Sequence, residues 1–167
     1  MNFKKSEEFI PFSPPWIGKD EEDEVLDSLR SGWITTGPKV KEFERRVAKY
    51  VNVKHAAAMY SCTDAMLLAL KVLGVDKGDE IITTTFTFAS TGHVICHHGA
   101  KPVFVDVDPE TFNINPELIG EKITPKTKGI IPVHYGGQSC DMDPIMDIAS
   151  KHNLFVMEDA AHAIGTK

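Results

Sequence analysis

Several signals are missing from this 167-residue sequence, and each absence narrows the field. No apolar run approaches the roughly 20 residues that a membrane-spanning helix needs. The opening MNFKKSEEFIPF holds no apolar core of signal-peptide length. There is no cationic excess: 18 Lys and Arg stand against 24 Asp and Glu, a formal net charge of -6. That argues against nonspecific nucleic-acid binding, which needs a cationic face to displace counterions, but leaves a small anionic ligand open. Cysteine is scarce, with Cys62, Cys96 and Cys140 far apart and no CxxC pair. An odd, scattered set argues against a disulfide framework or a structural zinc site and suits a reducing cytoplasm. Neither GxGxxG nor GK[ST] is present, so no dinucleotide fingerprint or Walker loop can be read. What remains, 42% hydrophobic and 25% charged, is the composition of a soluble globular protein long enough for one ordinary domain.

Within that frame the pattern alternates. Residues 1–18, with Pro11, Pro14, Pro15 and Gly18, read as an extended arm. A first helix is expected from Asp20, with acidic residues at its start, Val25, Leu26 and Leu29 as a face, and Gly32 as its stop. After the loop GWITTGP, Val40, Phe43, Val47 and Val51 mark a second amphipathic helix. Strands are then expected at 55–60, 79–85, 101–107, 128–135 and 154–158. Helices are expected between them at 64–74, 88–100, 115–123 (Asn115 cap, Pro116 first) and 143–153. Five strands separated by helices predict an α/β fold with a mostly parallel sheet covered on both faces. Ligands gather outside the C-terminal ends of such strands.

What the strand ends carry is therefore informative. At YSCTDA a strand breaks into small polar residues and a helix begins; exposed N–H groups there make a phosphate seat, unless Thr63 or Asp64 simply caps the helix. Phe88, after TTTFT, could lie over a flat ligand or belong to the core. Asp159 closes an apolar strand, where a carboxylate is costly to bury without a partner. It either binds backbone N–H groups or holds a protonated ring nitrogen, with His162 three residues on. Phosphate seat, aromatic plate and ring-nitrogen carboxylate, in that chain order, are what pyridoxal phosphate requires. His93 and His97 have helical metal spacing without the HExxH glutamate and read as polar helix positions. Asp106 and Asp108 read as strand-end turn chemistry, and acidic residues 20–24 as a solvated helix start.

The blocks SGWITTGPKVKEFE, CTDAMLLAL, GDEIITTTFTFAST, GAKPVFVDVDPETFNI, TPKTKGIIPVHYGG and EDAAHAIGT resemble the DegT/DnrJ/StrS family of pyridoxal-phosphate-dependent sugar aminotransferases, in order and spacing, from about Pro11 to the last residue. SGWITTGPK together with IIPVHYGG is especially similar to enzymes that aminate 4-keto sugars on nucleotide carriers. The resemblance implies the large domain of the aspartate aminotransferase-like fold (fold type I). Thr63 and Cys62 would hold the cofactor phosphate, Phe88 would stack on its ring, Asp159 would pair with the ring nitrogen, and His162 would reach the phenolic oxygen. Trp33, Thr35 and Thr36 would border the substrate pocket near a homodimer interface. Glutamate is the implied amino donor and a keto sugar on a nucleoside diphosphate the implied acceptor. Cys62 stands where the family commonly has glycine or another small residue. The lysine that forms a Schiff base with the cofactor is expected beyond Lys167, as are the rest of the large domain and a small C-terminal domain. Residues 19–167 would then be the front of the cofactor-binding domain, inactive alone.

Two other readings stand beside this one. A non-catalytic regulatory domain could keep part of a cofactor pocket. A plain nucleotide-binding α/β domain would conflict with the missing GxGxxG.

Overall fold

The computed structural model describes Phe9, Pro11 and residues 14–166. The arm expected over 1–18 falls mostly outside them; residues 14–18 carry no helix or strand. The chain divides into two compact units, Met1–Ala58 and Met59–Lys167.

The first unit holds two helices. Helix α1, Lys19–Ser31, begins where Glu21 reaches back to accept from the Gly18 N–H at 2.7 Å, and acidic residues fill its first turn. It ends at Gly32, whose φ of 72° is the left-handed conformation that stops a helix cheaply. Helix α2, Pro38–Tyr50, starts with proline at its first position. Lys39 ties the two together, 2.9 Å from the Asp27 carboxylate and within reach of Glu24. The apolar face of α1 (Val25, Leu26, Leu29) is exposed.

The second unit is a parallel sheet with helices on both faces. Its strands are β1 (Glu80–Thr84), β2 (Lys101–Val105), β3 (Thr127–Ile131) and β4 (Phe155–Val156), in the order β2-β1-β3-β4. The helices are α3 (Cys62–Val72), α4 (Ala89–His97) and α5 (Met142–His152). Alternation along β1 and β3 divides the core. Ile81 and Ile131 pack with Leu70 of α3 and Val94 and Ile95 of α4. Ile82 and Ile130 pack on the other face with Ile145 and Ala149 of α5. At Gly129 the Phe155 ring of the neighbouring strand lies so close that an added Cβ would stand 2.3 Å from it.

Three expectations require correction. The run HAAAMY (55–60) forms no strand: it has no apolar-polar alternation, finds no pairing partner among the described residues, and straddles the boundary between the units. The helix expected over 115–123 is two 3-10 turns, Pro116–Leu118 and Gly120–Lys122. Its cap is real, with Asn115 accepting from the Glu117 N–H, but Gly120 interrupts propagation. The last strand is shorter than 154–158; beyond Val156 only an isolated parallel bridge, Val133 with Asp159, extends it. No helix among the described residues is long and apolar enough to cross a membrane.

The topology positions a site. β1 lies between β2 and β3; the chain leaving β1 enters α4 on one face, and the chain leaving β3 enters α5 on the other. Their loops part at the C-terminal edge, the place where open α/β sheets bind ligands.

Candidate functional site

Asp159 anchors that edge. Only 5% exposed, it is held as backbone by its N–H to the Pro132 carbonyl (2.9 Å) and by the His134 N–H to its own carbonyl (3.2 Å). Its carboxylate accepts from the Thr91 hydroxyl at 2.8 Å on Oδ2, and from the Ala161 N–H at 3.3 Å and the Cys62 thiol at 3.6 Å on Oδ1. Thr87 Oγ1 lies 2.9 Å from Thr91 Oγ1 and extends the chain of hydroxyls. All these donors are neutral. Among the described residues no lysine, arginine or histidine forms an ion pair with Asp159, so the hydrogen-bond partners of its carboxylate are all uncharged donors.

Helix α3 begins at Cys62, earlier than expected, because Ser61 is its cap: Ser61 Oγ accepts from the Asp64 N–H at 3.1 Å. Neither Thr63 nor Asp64 caps it. Cys62 and Thr63 are therefore the first two residues inside the helix, where an N–H has no intrahelical acceptor and faces outward with the positive end of the dipole. The Cys62 thiol is pushed up to about 11, first by burial of the sulfur and then by the charge and hydrogen bond of Asp159. It stays protonated at neutral pH and serves as a donor.

Phe88 precedes α4 and is 77% exposed, which removes the core alternative. His162 is exposed, its ring edge-on to Tyr135 at 6.4 Å between centroids. Among the described residues, the one hydrogen bond joining two of the five expected cofactor residues is Cys62 to Asp159. Trp33, Thr35 and Thr36 lie in the first unit. There Trp33 and Thr35 help line a cleft of about 430 Å³, and Trp33 Nε1 donates to the Thr36 carbonyl at 3.0 Å.

Thr91 and Phe86 have no counterpart among the residues expected at the strand ends, whereas Tyr135, with His134, is expected there. Thr91, fully buried, contacts Asp159 across 68 positions of sequence; a threonine inside a helix gives no local sign of this. Tyr135 and Phe86 form an aromatic pair 4.4 Å apart, continued by Phe112 at 5.6 Å from Phe86. Aromatic residues closing two neighbouring strands were the available signal. His93 and His97 are exposed on α4. Asp106 and Asp108 accept from backbone N–H groups of the residues that follow them, which is turn chemistry. Those hydrogen bonds, Thr111 first and then Glu110, hold the Asp108 carboxyl below its usual range.

The profile described as the DegT/DnrJ/EryC1/StrS aminotransferase family matches residues 15–167. Among curated relatives, the spore coat polysaccharide biosynthesis protein SpsC of Bacillus subtilis is 53% identical over 163 residues, covering 98% of this chain and 42% of SpsC. Among solved structures, Spr1654 from Streptococcus pneumoniae, described as a sugar aminotransferase and solved in its PMP form, matches with a TM-score of 0.89 and 42% identity over 93% of this chain and 43% of that one. The 3-amino-5-hydroxybenzoic acid synthase structure matches with a TM-score of 0.87 and 38% identity, covering 96% of this chain and 42% of the synthase. The chain thus spans about two fifths of the length of these relatives.

Proposed function

The chain belongs to the DegT/DnrJ/EryC1/StrS aminotransferase family, and from that membership we propose that it forms part of a cytoplasmic, pyridoxal-phosphate-dependent aminotransferase. Its acceptor is a keto sugar on a nucleoside diphosphate, its amino donor glutamate, and its setting the making of a surface polysaccharide. The naming of SpsC for polysaccharide biosynthesis and of Spr1654 as a sugar aminotransferase supports the substrate class. On this reading residues 19–167 contribute the front of the cofactor-binding domain, and the active assembly is a homodimer. The lysine that takes the cofactor aldehyde lies outside residues 1–167, and this chain alone does not transaminate.

One observation carries the cofactor reading: a buried carboxylate, surrounded by neutral donors, at the C-terminal edge of a parallel sheet. Those residues fit the group. When bound, pyridoxal phosphate supplies an electron-accepting ring for exchange of an amino group. Asp159 would keep the proton on the ring nitrogen, because its negative charge favours the cationic form. The helix start at Cys62 and Thr63 would receive the phosphate. Phe88 would cover the ring face, and His162 would donate to the phenolic oxygen. Trp33, Thr35 and Thr36 would border the sugar nucleotide.

The test is a titration of the chain with pyridoxal phosphate, followed by absorbance, alongside Asp159→Asn and Phe88→Ala. Saturable binding weakened by both substitutions is the expected result. Equal affinity in Asp159→Asn would remove the ring-nitrogen role and favour a binding module of another kind. Measurable turnover of glutamate with a keto sugar nucleotide by the 167-residue chain would overturn its proposed inactivity.

A further inference from the structure

Asp159 is preceded by a second carboxylate, Glu158. In extended chain successive side chains point to opposite faces, so a one-residue slip would exchange them: Glu158 would enter the pocket and Asp159 would leave it. The backbone pairing that opposes such a slip is short: beyond β4 it consists of the Met157 N–H to the Ile130 carbonyl (3.0 Å), the Asp159 N–H to the Pro132 carbonyl (2.9 Å) and the His134 N–H to the Asp159 carbonyl. Strand β4 has two residues, lies at the sheet edge, and is continued to Asp159 by an isolated bridge.

His134 stands opposite this pair, 4% exposed. Its backbone N–H donates to the Asp159 carbonyl at 3.2 Å. Its ring points to the other face. Nδ1 accepts from the Cys140 N–H at 3.0 Å, so the proton resides on Nε2, which donates to Glu158 Oε2 at 2.8 Å. Cys140 is itself fixed, its thiol donating to the Val133 carbonyl at 3.3 Å, and the Gly136–Gly137 turn brings the loop back to it. The imidazole is thus braced on one side by β3's own loop and grips Glu158 on the other.

We propose that His134 is a positioning residue that selects which of the two adjacent carboxylates faces the pocket, by holding Glu158 on the opposite face through its Nε2–H. The selection matters for function through the proposed ring-nitrogen role of Asp159, since a glutamate there would place its carboxylate one methylene further out. The grip itself is independent of that role and can be tested without cofactor.

The test uses Cys62 as a reporter, because its thiol is raised partly by Asp159. Alkylation of Cys62 in the 167-residue chain is followed against pH by peptide-resolved mass spectrometry. The variants are His134→Leu, Glu158→Ala and Glu158→Gln. Glu158 is 53% exposed at its side chain, so its variants fold even where His134→Leu does not. The expected result is a Cys62 midpoint below the wild-type value of about 11 in Glu158→Ala, since the part of the shift that Asp159 supplies is lost while the part due to burial stays. Glu158→Gln, which keeps an oxygen for Nε2–H to bond, retains the wild-type midpoint. An unchanged midpoint in Glu158→Ala would overturn the proposal, as would an equal fall in Glu158→Gln. Loss of pyridoxal phosphate binding in every chain, with the midpoints behaving as expected, would instead count against the cofactor reading alone.

Discussion

Thr91 donates its hydroxyl proton to Asp159 Oδ2 across 2.8 Å, and so joins the first turn of α4 to the end of the sheet's edge strand. Both residues are buried. The contact makes the β1–α4 connection, where Phe88 also sits, part of the same rigid assembly as the carboxylate. The Thr87 hydroxyl at 2.9 Å supplies a further hydrogen bond, which Thr91 accepts once its own proton is committed to Asp159.

Replacing Thr91 with valine keeps its shape and deletes the donor. A buried carboxylate oxygen then loses its shortest hydrogen bond, and such losses cost about 1–3 kcal/mol. Thr91→Val is expected to lower stability in urea unfolding by that amount, and Thr91→Ser to retain most of it. Equal stability of the wild type and the valine variant would mean that water or the Ala161 N–H replaces the hydroxyl without loss.

Cys140 sets an alkaline limit. Burial, and then the charge of Glu158, push its thiol up to about 11 from an ordinary 9.0. Below 9.0 both folded and unfolded chains carry the proton, and stability is unaffected. Between 9.0 and about 11 the unfolded chain sheds it while the folded chain keeps it, so the unfolded state binds fewer protons and stability falls as pH rises. A two-unit shift corresponds to at most about 2–3 kcal/mol. Unfolding free energies across that window should decline more gently in Cys140→Ala than in wild type; parallel curves would refute the assignment.

Gly129 has no room for a side chain. An alanine Cβ would meet the Phe155 ring at 2.3 Å in a buried strand. Overpacking of this kind costs about 1–3 kcal/mol. Gly129→Ala should destabilise by that amount, and combining it with Phe155→Leu should cost less than the sum of the two single changes, since the shortened side chain vacates the contact. Strict additivity in thermal unfolding would show that the strand relaxes some other way.

The sheet was legible because its strands are apolar runs ended by polar groups: Ile81–Ile82 before the threonines, Ile130–Ile131 before His134. Asp159 was legible for the same reason, as a carboxylate closing such a run. Thr91 was not, because nothing within FASTGHVICHHGA distinguishes a surface threonine from one aimed at a residue 68 positions away. HAAAMY misled because strand identity depends on a partner, and three alanines carry no periodicity. The 115–123 segment misled at the level of propagation rather than initiation: the Asn115 cap formed, and Gly120 stopped what it began. Ser61 shows a third kind of difference: Ser61, Thr63 and Asp64 are all cap-forming residue types within four positions, and local backbone geometry chooses Ser61.

The Trp33 loop offers a test of the substrate reading that leaves the cofactor pocket untouched. Gly37 lies beneath the Trp33 indole, with an added Cβ 2.3 Å from Nε1, and the ring is tethered by its bond to the Thr36 carbonyl. Gly37→Ala must push the indole away and break that tether, at about 1 kcal/mol for the hydrogen bond. Tryptophan fluorescence should report the displacement. If Trp33, Thr35 and Thr36 border the sugar nucleotide, Gly37→Ala weakens its binding roughly tenfold, or about 1.4 kcal/mol, while pyridoxal phosphate binds as before. A displaced indole with unchanged sugar-nucleotide affinity would take the loop out of the substrate pocket, and parallel loss of both ligands would mean that the loop supports the fold rather than the substrate.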